Sequence, residues 1–402
     1  MKKLQNPQNL FRLPALLLVW TLLCACALPG AAAKEDGSLH IKLGIATGLR
    51  EAPAAELDCA WDDSWFAGDP GTYDSGLARA AMALSAAAYE GEGDPPGVRQ
   101  ALEDLGFDRV RSYNYHAAAL SAGKTAYTFG LKTVLDEAGS LVHLAAVIIR
   151  GTGSYTEWAG NLNVGEGRDH QGFAAARDEL LANLDRYLTQ AKVTGKDRET
   201  TRFFLTGHSR GGATANLAAA RLTEEKNTVF AYTFASPAVS LDGKEEGYQN
   251  IFNTVRGDDL VTLVPLGGWG YRRYGADIPL PVPGDEGYDE AFKAMSKAYK
   301  DLTGRSYSTY KDAEAVEDMT ASLGRLAPDV KRANLRLLSA LLTGDLEGVS
   351  ALVEADPSGA VSLGRAALEI SAVLTPLLQS ERAGLTSAHC MAGYLCWMEA
   401  AG

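Results

Sequence analysis

The sequence lacks the features that mark several large classes of protein. It has no Cys-x-x-Cys pair and its 6 histidines are scattered, so it offers no zinc-binding spacing. No lysine and arginine cluster lies beyond the first dozen residues and the net charge is −12, which argues against nucleic acid as a partner. With 46% hydrophobic and 22% charged residues over 402 positions, the chain is an ordinary globular one of about two to three domains.

Cysteine is sparse, with 5 residues in the whole chain. Cys24 and Cys26 lie in the N-terminal segment, which leaves Cys59, Cys390 and Cys396 for the folded part. An odd number leaves one cysteine unpaired. A bridge from Cys59 to the C-terminal pair and three buried thiols are both open readings.

The N-terminus has the order of a secretory signal. Basic residues precede the uncharged run 13–28, which at 16 residues is shorter than the roughly 20 that a membrane span needs. Three alanines then end at Ala33, where cleavage is predicted, so we expect export from the cell. Leu23-Cys24-Ala25-Cys26 resembles a lipoprotein signal. Lipid anchoring at the cell surface through Cys26 is therefore the alternative, and an uncleaved anchor is a third possibility.

Predicted strands and helices alternate through the middle of the chain, which indicates an α/β fold with a mostly parallel sheet covered on both faces. The predicted strands are 109–115, 126–135, 141–149, 203–205, 229–234 and 251–255, and the predicted helices are 75–90, 173–188 and 213–222.

The chain is accordingly divided into five segments. Residues 1–33 are the predicted signal peptide, and residues 34–74 are interpreted as an irregular linker that wraps the core. The α/β core is predicted over 75–275. Apolar residues spaced by three and four predict a helical insertion or cap over 276–384 and a C-terminal helix over 385–402.

One motif carries the chemistry. The sequence Gly207-His208-Ser209-Arg210-Gly211 follows a predicted strand directly and leads directly into a predicted helix. This strand, turn and helix are typical of a nucleophile elbow, in which Ser209 would stand above the sheet. Glycines on both sides let the strand and the helix approach the turn.

A serine nucleophile needs a base and a carboxylate that orients the base. In the fold that carries a nucleophile elbow, the order along the chain is Ser, then Asp or Glu, then His. His389 is the only histidine beyond Ser209, so it is the predicted base, whereas His208 is expected to point elsewhere. Asp258 and Asp259 both follow a predicted strand, and alternation alone does not separate them.

Several short motifs together resemble the fungal-type triacylglycerol lipase family (lipase class 3), a branch of the α/β hydrolases. The resemblance covers about residues 75–275 and the C-terminal helix. The motifs, in family order, are Arg150-Gly151-Thr152-Gly153-Ser154, Trp158, Asn161-Leu162, His170-Gln171-Gly172-Phe173, residues 205–213, residues 232–237, Asp259-Leu260-Val261, Val264-Pro265, His389 and Tyr394.

The resemblance implies an α/β-hydrolase fold and roles for individual residues. Ser209 would be the nucleophile, His389 the base and Asp259 the acid, with Asp258 as the alternative. The backbone N–H groups of Thr152 and Arg210 would form the oxyanion hole. Neither a metal nor an organic cofactor is expected.

The chain also departs from the family pattern. Arg210 stands where the family usually has leucine, Glu157 where it has aspartate, and Ala235 where it often has glycine. The 130 residues from Asp259 to His389 exceed what the family core needs. This length leaves triglyceride specificity open.

The expected function is that of a secreted, monomeric serine hydrolase acting on carboxylic esters, with lipid esters at a membrane or lipid interface as the expected substrates. Phospholipase, short-chain esterase and acyltransferase activities are alternatives. So is a non-catalytic surface or binding protein on a hydrolase scaffold.

Overall fold

The computed structural model describes residues 33–35, 38–49, 52–89, 96–116, 123–152, 167–265, 270–311, 314, 354 and 382–401. The predicted signal peptide, Cys26 and most of the predicted cap lie outside these residues. So does the stretch with Trp158, Asn161 and Leu162. Within the described part of the chain, no helix is both long enough and apolar enough to cross a membrane.

The described elements are numbered here in chain order. The strands are β1 Ala33–Glu35, β2 Ser38–Ala46, β3 Ala54–Trp61, β4 Asp108–Tyr113, β5 Tyr127–Leu135, β6 Leu141–Ile149, β7 Arg202–His208, β8 Thr228–Phe234, β9 Ile251–Val255 and β10 Ala276–Pro279. The helices are α1 Ser75–Ala87, α2 Pro96–Asp104, α3 Gln171–Gln190, α4 Lys196–Glu199, α5 Arg210–Glu224, α6 Tyr288–Thr303, α7 Arg382–His389 and α8 Met391–Ala401.

A 7-stranded sheet forms the centre, in the order β10-β9-β8-β7-β6-β5-β4. The pairs from β6 to β10 are parallel, and β5 and β4 are added antiparallel at one edge. The expectation of a mostly parallel sheet in an α/β fold is therefore confirmed. Helices connect the parallel strands, as α3 does between β6 and β7 and α5 between β7 and β8.

Strand β6 shows how the sheet is covered on both faces. Leu144, Ala146 and Ile148 belong to one hydrophobic core, which also holds residues of α1, α6 and α8. Ala145 and Val147 belong to a second core with residues of α3 and α5. Because successive side chains of a strand point to opposite faces, a nearly continuous apolar run is what a doubly covered strand requires.

The interpretation of residues 34–74 as irregular is wrong for the stretches 38–46 and 54–61, which are strands. Strands β1, β2 and β3 form an antiparallel sheet of 3 strands. The side chains of Ile41, Leu43 and Ile45 are buried, whereas Lys42 between them is exposed. This alternation is the pattern of a half-buried strand, and its apolar side packs into the core that holds α1.

The last helix closes the same core from the other end of the chain. Residues of α8 share the core with β2 and α1, and the amide of Ala392 donates to the carbonyl of Thr47 at 3.0 Å. Cys59, Cys390 and Cys396 are all buried free thiols, so no bridge joins them. Burial raises their pKa values to about 12, 11 and 12 respectively.

Candidate active site

Ser209 lies on a sharp turn between β7 and α5. Its φ is 58° and its ψ is −128°, a backbone conformation that residues other than glycine seldom adopt. Residues strained in this way are found mainly at functional sites. The turn is held on both sides. The Ser209 amide donates to the carbonyl of Phe234 at 2.9 Å, and the Ser209 carbonyl accepts from the Ala213 amide at 3.0 Å.

The glycines beside Ser209 allow this turn. A Cβ atom on Gly207 would lie 2.5 Å from the carbonyl carbon of Gly211, and one on Gly211 would lie 2.3 Å from the carbonyl oxygen of Ile149. Both distances are far below contact. The start of α5 is thus pressed against the ends of β6 and β7, as the sequence motif predicts.

His389 links Ser209 to a carboxylate. Its Nε2 lies 3.0 Å from Ser209 Oγ, and its Nδ1 lies 2.8 Å from Asp259 Oδ2. Because a carboxylate accepts hydrogen bonds, Nδ1 carries the proton and Nε2 is left to accept one from the serine. The structure thus brings together three residues that are distant in sequence, in one series of hydrogen-bond distances.

Asp259 is buried, with a relative exposure of 1%, and is held by further donors. Its Oδ1 accepts the Val261 amide at 3.0 Å, and its Oδ2 also accepts the Tyr394 hydroxyl at 2.9 Å. Burial, and then the charge of Asp259, raise the pKa of Tyr394 well above that of free tyrosine. The hydroxyl therefore stays protonated and donates a hydrogen bond to the carboxylate.

Asp258 has a different partner. Its two carboxylate oxygens accept from Nε and a terminal nitrogen of Arg256 at 2.8 and 2.6 Å. The Arg256 guanidinium is buried and lies 4.8 Å from the ring of Trp397. Within the described residues, it is Asp259 that contacts His389.

Thr152 and Arg210 both lie at the carboxyl edge of the parallel strands, and Arg210 directly follows Ser209. Thr152 follows β6, and Ile149 of β6 pairs in register with Gly207 of β7. Arg210 is the first residue of α5, and its buried guanidinium donates to the carbonyl of Lys124 at 3.1 Å. The side chain of Arg210, which stands where the family pattern has leucine, is thus hydrogen-bonded to the backbone of a neighbouring segment.

His208 is a residue of this region whose contacts the sequence did not predict. Its ring is buried, and its Nε2 lies 2.9 Å from the carbonyl oxygen of His389. Its Nδ1 lies 3.1 Å from the hydroxyl of Tyr89, two residues beyond the end of α1. In the sequence, His208 is marked only by its place beside Ser209 in the motif. No sequence feature points to a role for Tyr89.

A serine, a histidine and an aspartate joined in this way, at the carboxyl edge of a mostly parallel sheet, form the arrangement typical of α/β hydrolases. Among the residues that the structure describes, no group of 3 or more His, Cys, Asp or Glu side chains could hold a metal ion.

Comparison with known proteins agrees with this class. Residues 146–268 match the family described as Lipase (class 3). This match confirms the resemblance to class 3 lipases over the segment that carries Thr152, Ser209 and Asp259, whereas His389 lies beyond it. Secreted mono- and diacylglycerol lipase 1 of Fusarium solani is 32% identical over 140 residues, which are 31% of this chain and 40% of that protein. The chain therefore spans about two fifths of the length of this relative.

Solved structures of fungal lipases are similar at lower identity. The lipase from Rhizopus microsporus var. chinensis is 19% identical, with 53% of this chain and 78% of that chain covered and a TM-score of 0.37. The native Rhizomucor miehei lipase propeptide complex is 18% identical, with 63% and 78% covered and a TM-score of 0.35.

Proposed function

We propose that this chain is a serine hydrolase that cleaves carboxylic esters. The observation that carries the proposal is the continuous series of hydrogen bonds from Ser209 through His389 to the buried Asp259. The strained backbone of Ser209 supports it, because strain of this kind is found mainly at active sites. The similarity to class 3 lipases supports the same reaction class.

In the proposed reaction, Ser209 Oγ attacks the ester carbonyl carbon while His389 Nε2 takes its proton. Asp259 accepts from His389 Nδ1 and stabilises the imidazolium that forms. His389 then gives the proton to the leaving alcohol, which leaves an acyl group on Ser209. Water attacks this acyl group with His389 again as the base, and the carboxylic acid leaves.

The tetrahedral intermediates need donors for their negative oxygen. We assign the backbone N–H groups of Arg210 and Thr152 to this role, since Arg210 directly follows Ser209 and Thr152 follows the end of the neighbouring strand β6. Loss of one such donor typically costs about 2.7–4 kcal/mol of transition-state stabilisation.

We propose that the substrates are lipid esters and that the protein is exported from the cell. Both follow the relative named as a secreted mono- and diacylglycerol lipase. Short-chain esterase, phospholipase and acyltransferase activities use the same catalytic residues and are the alternatives to be tested. A non-catalytic scaffold has no need for a buried carboxylate, a histidine and a strained serine in one hydrogen-bonded series.

The test is hydrolysis of nitrophenyl esters of graded acyl length by the protein expressed from the full chain, beside Ser209→Ala. We expect turnover to fall by a factor on the order of 10⁶ in the variant. A fluorophosphonate probe should label the wild-type protein at Ser209. Ser140→Ala, in the exposed turn between β5 and β6, is the matched control and should leave turnover unchanged.

Ester hydrolysis that survives in Ser209→Ala would refute the role of this serine. A wild-type protein with neither turnover nor labelling would refute the catalytic proposal as a whole. Preference for long acyl chains presented at an interface would support a lipase, and preference for short soluble esters would support an esterase.

A further inference from the structure

The imidazole of His208 is placed against the segment that carries His389, yet the proposed reaction makes no use of it. The two rings lie 4.8 Å apart between centroids, and the His208 ring also makes edge contacts with Tyr89 and Tyr394. With a relative exposure of 1%, the side chain is closed off from solvent. A polar ring buried in this way needs hydrogen-bond partners.

The partners of His208 determine its tautomer. A carbonyl oxygen only accepts, so the 2.9 Å contact with the His389 carbonyl requires a proton on His208 Nε2. In the neutral ring Nδ1 is then an acceptor. The single proton of the Tyr89 hydroxyl faces this Nδ1 at 3.1 Å and the His208 carbonyl oxygen at 3.3 Å. Burial, and then the nearby His389, lower the pKa of His208 well below that of free histidine, which agrees with a neutral ring.

The His389 carbonyl lies where the helix is interrupted. Helix α7 ends at His389 and α8 begins at Met391. The amide four residues on, at Gly393, donates to Cys390 Sγ at 3.2 Å instead of continuing the helical pattern. The last carbonyls of a helix require partners from outside it, and His208 is such a partner here.

Tyr89 also reaches the neighbouring strand end. A Cβ atom on Gly151 would lie 1.9 Å from the Tyr89 hydroxyl and 2.5 Å from the His208 carbonyl oxygen. Only glycine therefore fits at position 151. The Tyr89 hydroxyl is thus packed between the segment before Thr152 and the segment before Ser209.

We propose that His208 is a positioning residue for His389. It donates from Nε2 to the backbone of the general base and so fixes the point from which the catalytic imidazole extends to Ser209 and Asp259. Tyr89 holds His208 in the tautomer that can donate. This inference rests on the proposed function, because it assigns His208 a role in placing the proposed base.

Neutrality is part of this role. His389 must gain a positive charge when it takes the proton of Ser209. A protonated His208 ring at 4.8 Å would repel that charge and could no longer accept from Tyr89. A neutral donor fixes the backbone without opposing the proton transfer.

The test compares His208→Leu, which removes the donor, with His208→Gln, whose amide N–H can replace it. Rates are expressed per active site titrated with a fluorophosphonate, so that unfolded molecules do not count. We expect His208→Leu to lower kcat about 10- to 100-fold with KM nearly unchanged, and His208→Gln to recover most of this loss. Tyr89→Phe, which removes only a hydroxyl, should give a smaller loss in kcat.

A second readout is independent of turnover. The proton between His389 Nδ1 and Asp259 should give a far-downfield proton NMR resonance in the wild-type protein and in His208→Gln. We expect this resonance to shift or broaden in His208→Leu. Equal kcat per titrated site in wild type and His208→Leu, with an unchanged resonance, would overturn the inference.

The two proposals fail in distinguishable ways. If the wild-type protein hydrolyses esters and Ser209→Ala does not, the proposed function stands whatever His208→Leu does. If the wild-type protein shows neither turnover nor fluorophosphonate labelling, the proposed function fails, and the resonance alone decides whether His208 positions His389. A loss in both His208→Leu and His208→Gln, with the resonance retained in each, would assign His208 to packing alone.

Discussion

At the scale of single residues, two adjacent aspartates of the same chemistry have opposite surroundings. Asp259 is buried against His389 and Tyr394, whereas Asp258 accepts two hydrogen bonds from Arg256. A strand end turns the two side chains in different directions, and the tertiary partners on either side decide which carboxylate is available to the histidine.

This difference predicts opposite phenotypes for the two amides. Asp259→Asn should lower kcat about 10⁴-fold, because the amide favours the wrong tautomer of His389. Asp258→Asn should leave kcat within about tenfold but lower the free energy of unfolding by about 1–3 kcal/mol, because the buried Arg256 loses its charged partner. Ester hydrolysis and urea unfolding measure the two effects. The reverse pattern would move the catalytic assignment to Asp258.

The sequence predicts the Ser209 turn because the signal is local: a strand, two glycines and a helix in succession. His389 is predicted by elimination, as the one histidine after Ser209. The choice between Asp258 and Asp259 depends on which side chain meets residues about 130 positions away. Contacts of that range leave no local pattern, and only the family resemblance favours Asp259 in advance.

At the scale of elements, strands and helices with a strong local pattern are predicted, and those defined by their tertiary contacts are not. Strand β6 is predicted with its observed bounds because burial on both faces demands an unbroken apolar run. The sequence predicts neither helix α2 nor the short edge strand β10. Strand β10 has only 4 residues and is defined by its pairing with β9.

A buried polar cluster ties the late strands of the sheet to a helix. The side-chain amide of Asn253 in β9 donates to the carbonyl of Tyr274 at 3.0 Å, and its Oδ1 accepts from Thr233 of β8 at 2.7 Å. Asn216 of α5 donates to the same Oδ1 at 2.8 Å. Asn253 and its two side-chain partners are fully buried.

Because this cluster is satisfied through Asn253, its removal should be costly. Asn253→Leu takes the acceptor from the buried Thr233 hydroxyl and one of two acceptors from the Asn216 amide, which keeps the Tyr274 carbonyl. We therefore expect the free energy of unfolding to fall by about 1–3 kcal/mol. Thr133→Ala, at an exposed position of β5, should change it by less than about 0.5 kcal/mol. Urea denaturation compares the two variants. A loss of similar size in both would show that the cluster adds nothing specific.

At the scale of the whole molecule, the two ends of the described chain meet behind the active site. The sheet of β1 to β3 and helix α8 share one hydrophobic core, and the Thr47 carbonyl accepts the Ala392 amide three residues after His389. The segment interpreted from the sequence as a linker is therefore part of what supports His389. Alternation in β2 is visible in the sequence, but the contact of β2 with the C-terminus is not.

His208 connects this buried region to the stability of the whole fold. Its folded-state pKa is lowered below the ordinary value of about 6.5, so the unfolded chain binds a proton below that pH before the folded protein does. Stability should therefore fall as pH drops below about 6.5, and the contribution of this one group approaches about 1.4 kcal/mol per pH unit. Above that pH, His208 is neutral in both the folded and the unfolded protein, so it does not make the free energy of unfolding depend on pH.

Carboxylates also contribute to the pH dependence, and His208→Gln separates the two effects because it removes only this titration. Between pH 7.5 and 5.5, urea unfolding should show that the wild-type protein loses about 1 kcal/mol more than His208→Gln. The expected sign is fixed by burial, since a protonated ring would lose its hydrogen bond from Tyr89 and lie against His389. Equal losses in the two proteins would mean that His208 is protonated as easily in the folded state as in the unfolded one, which contradicts the neutral donor on which the placement of His389 depends.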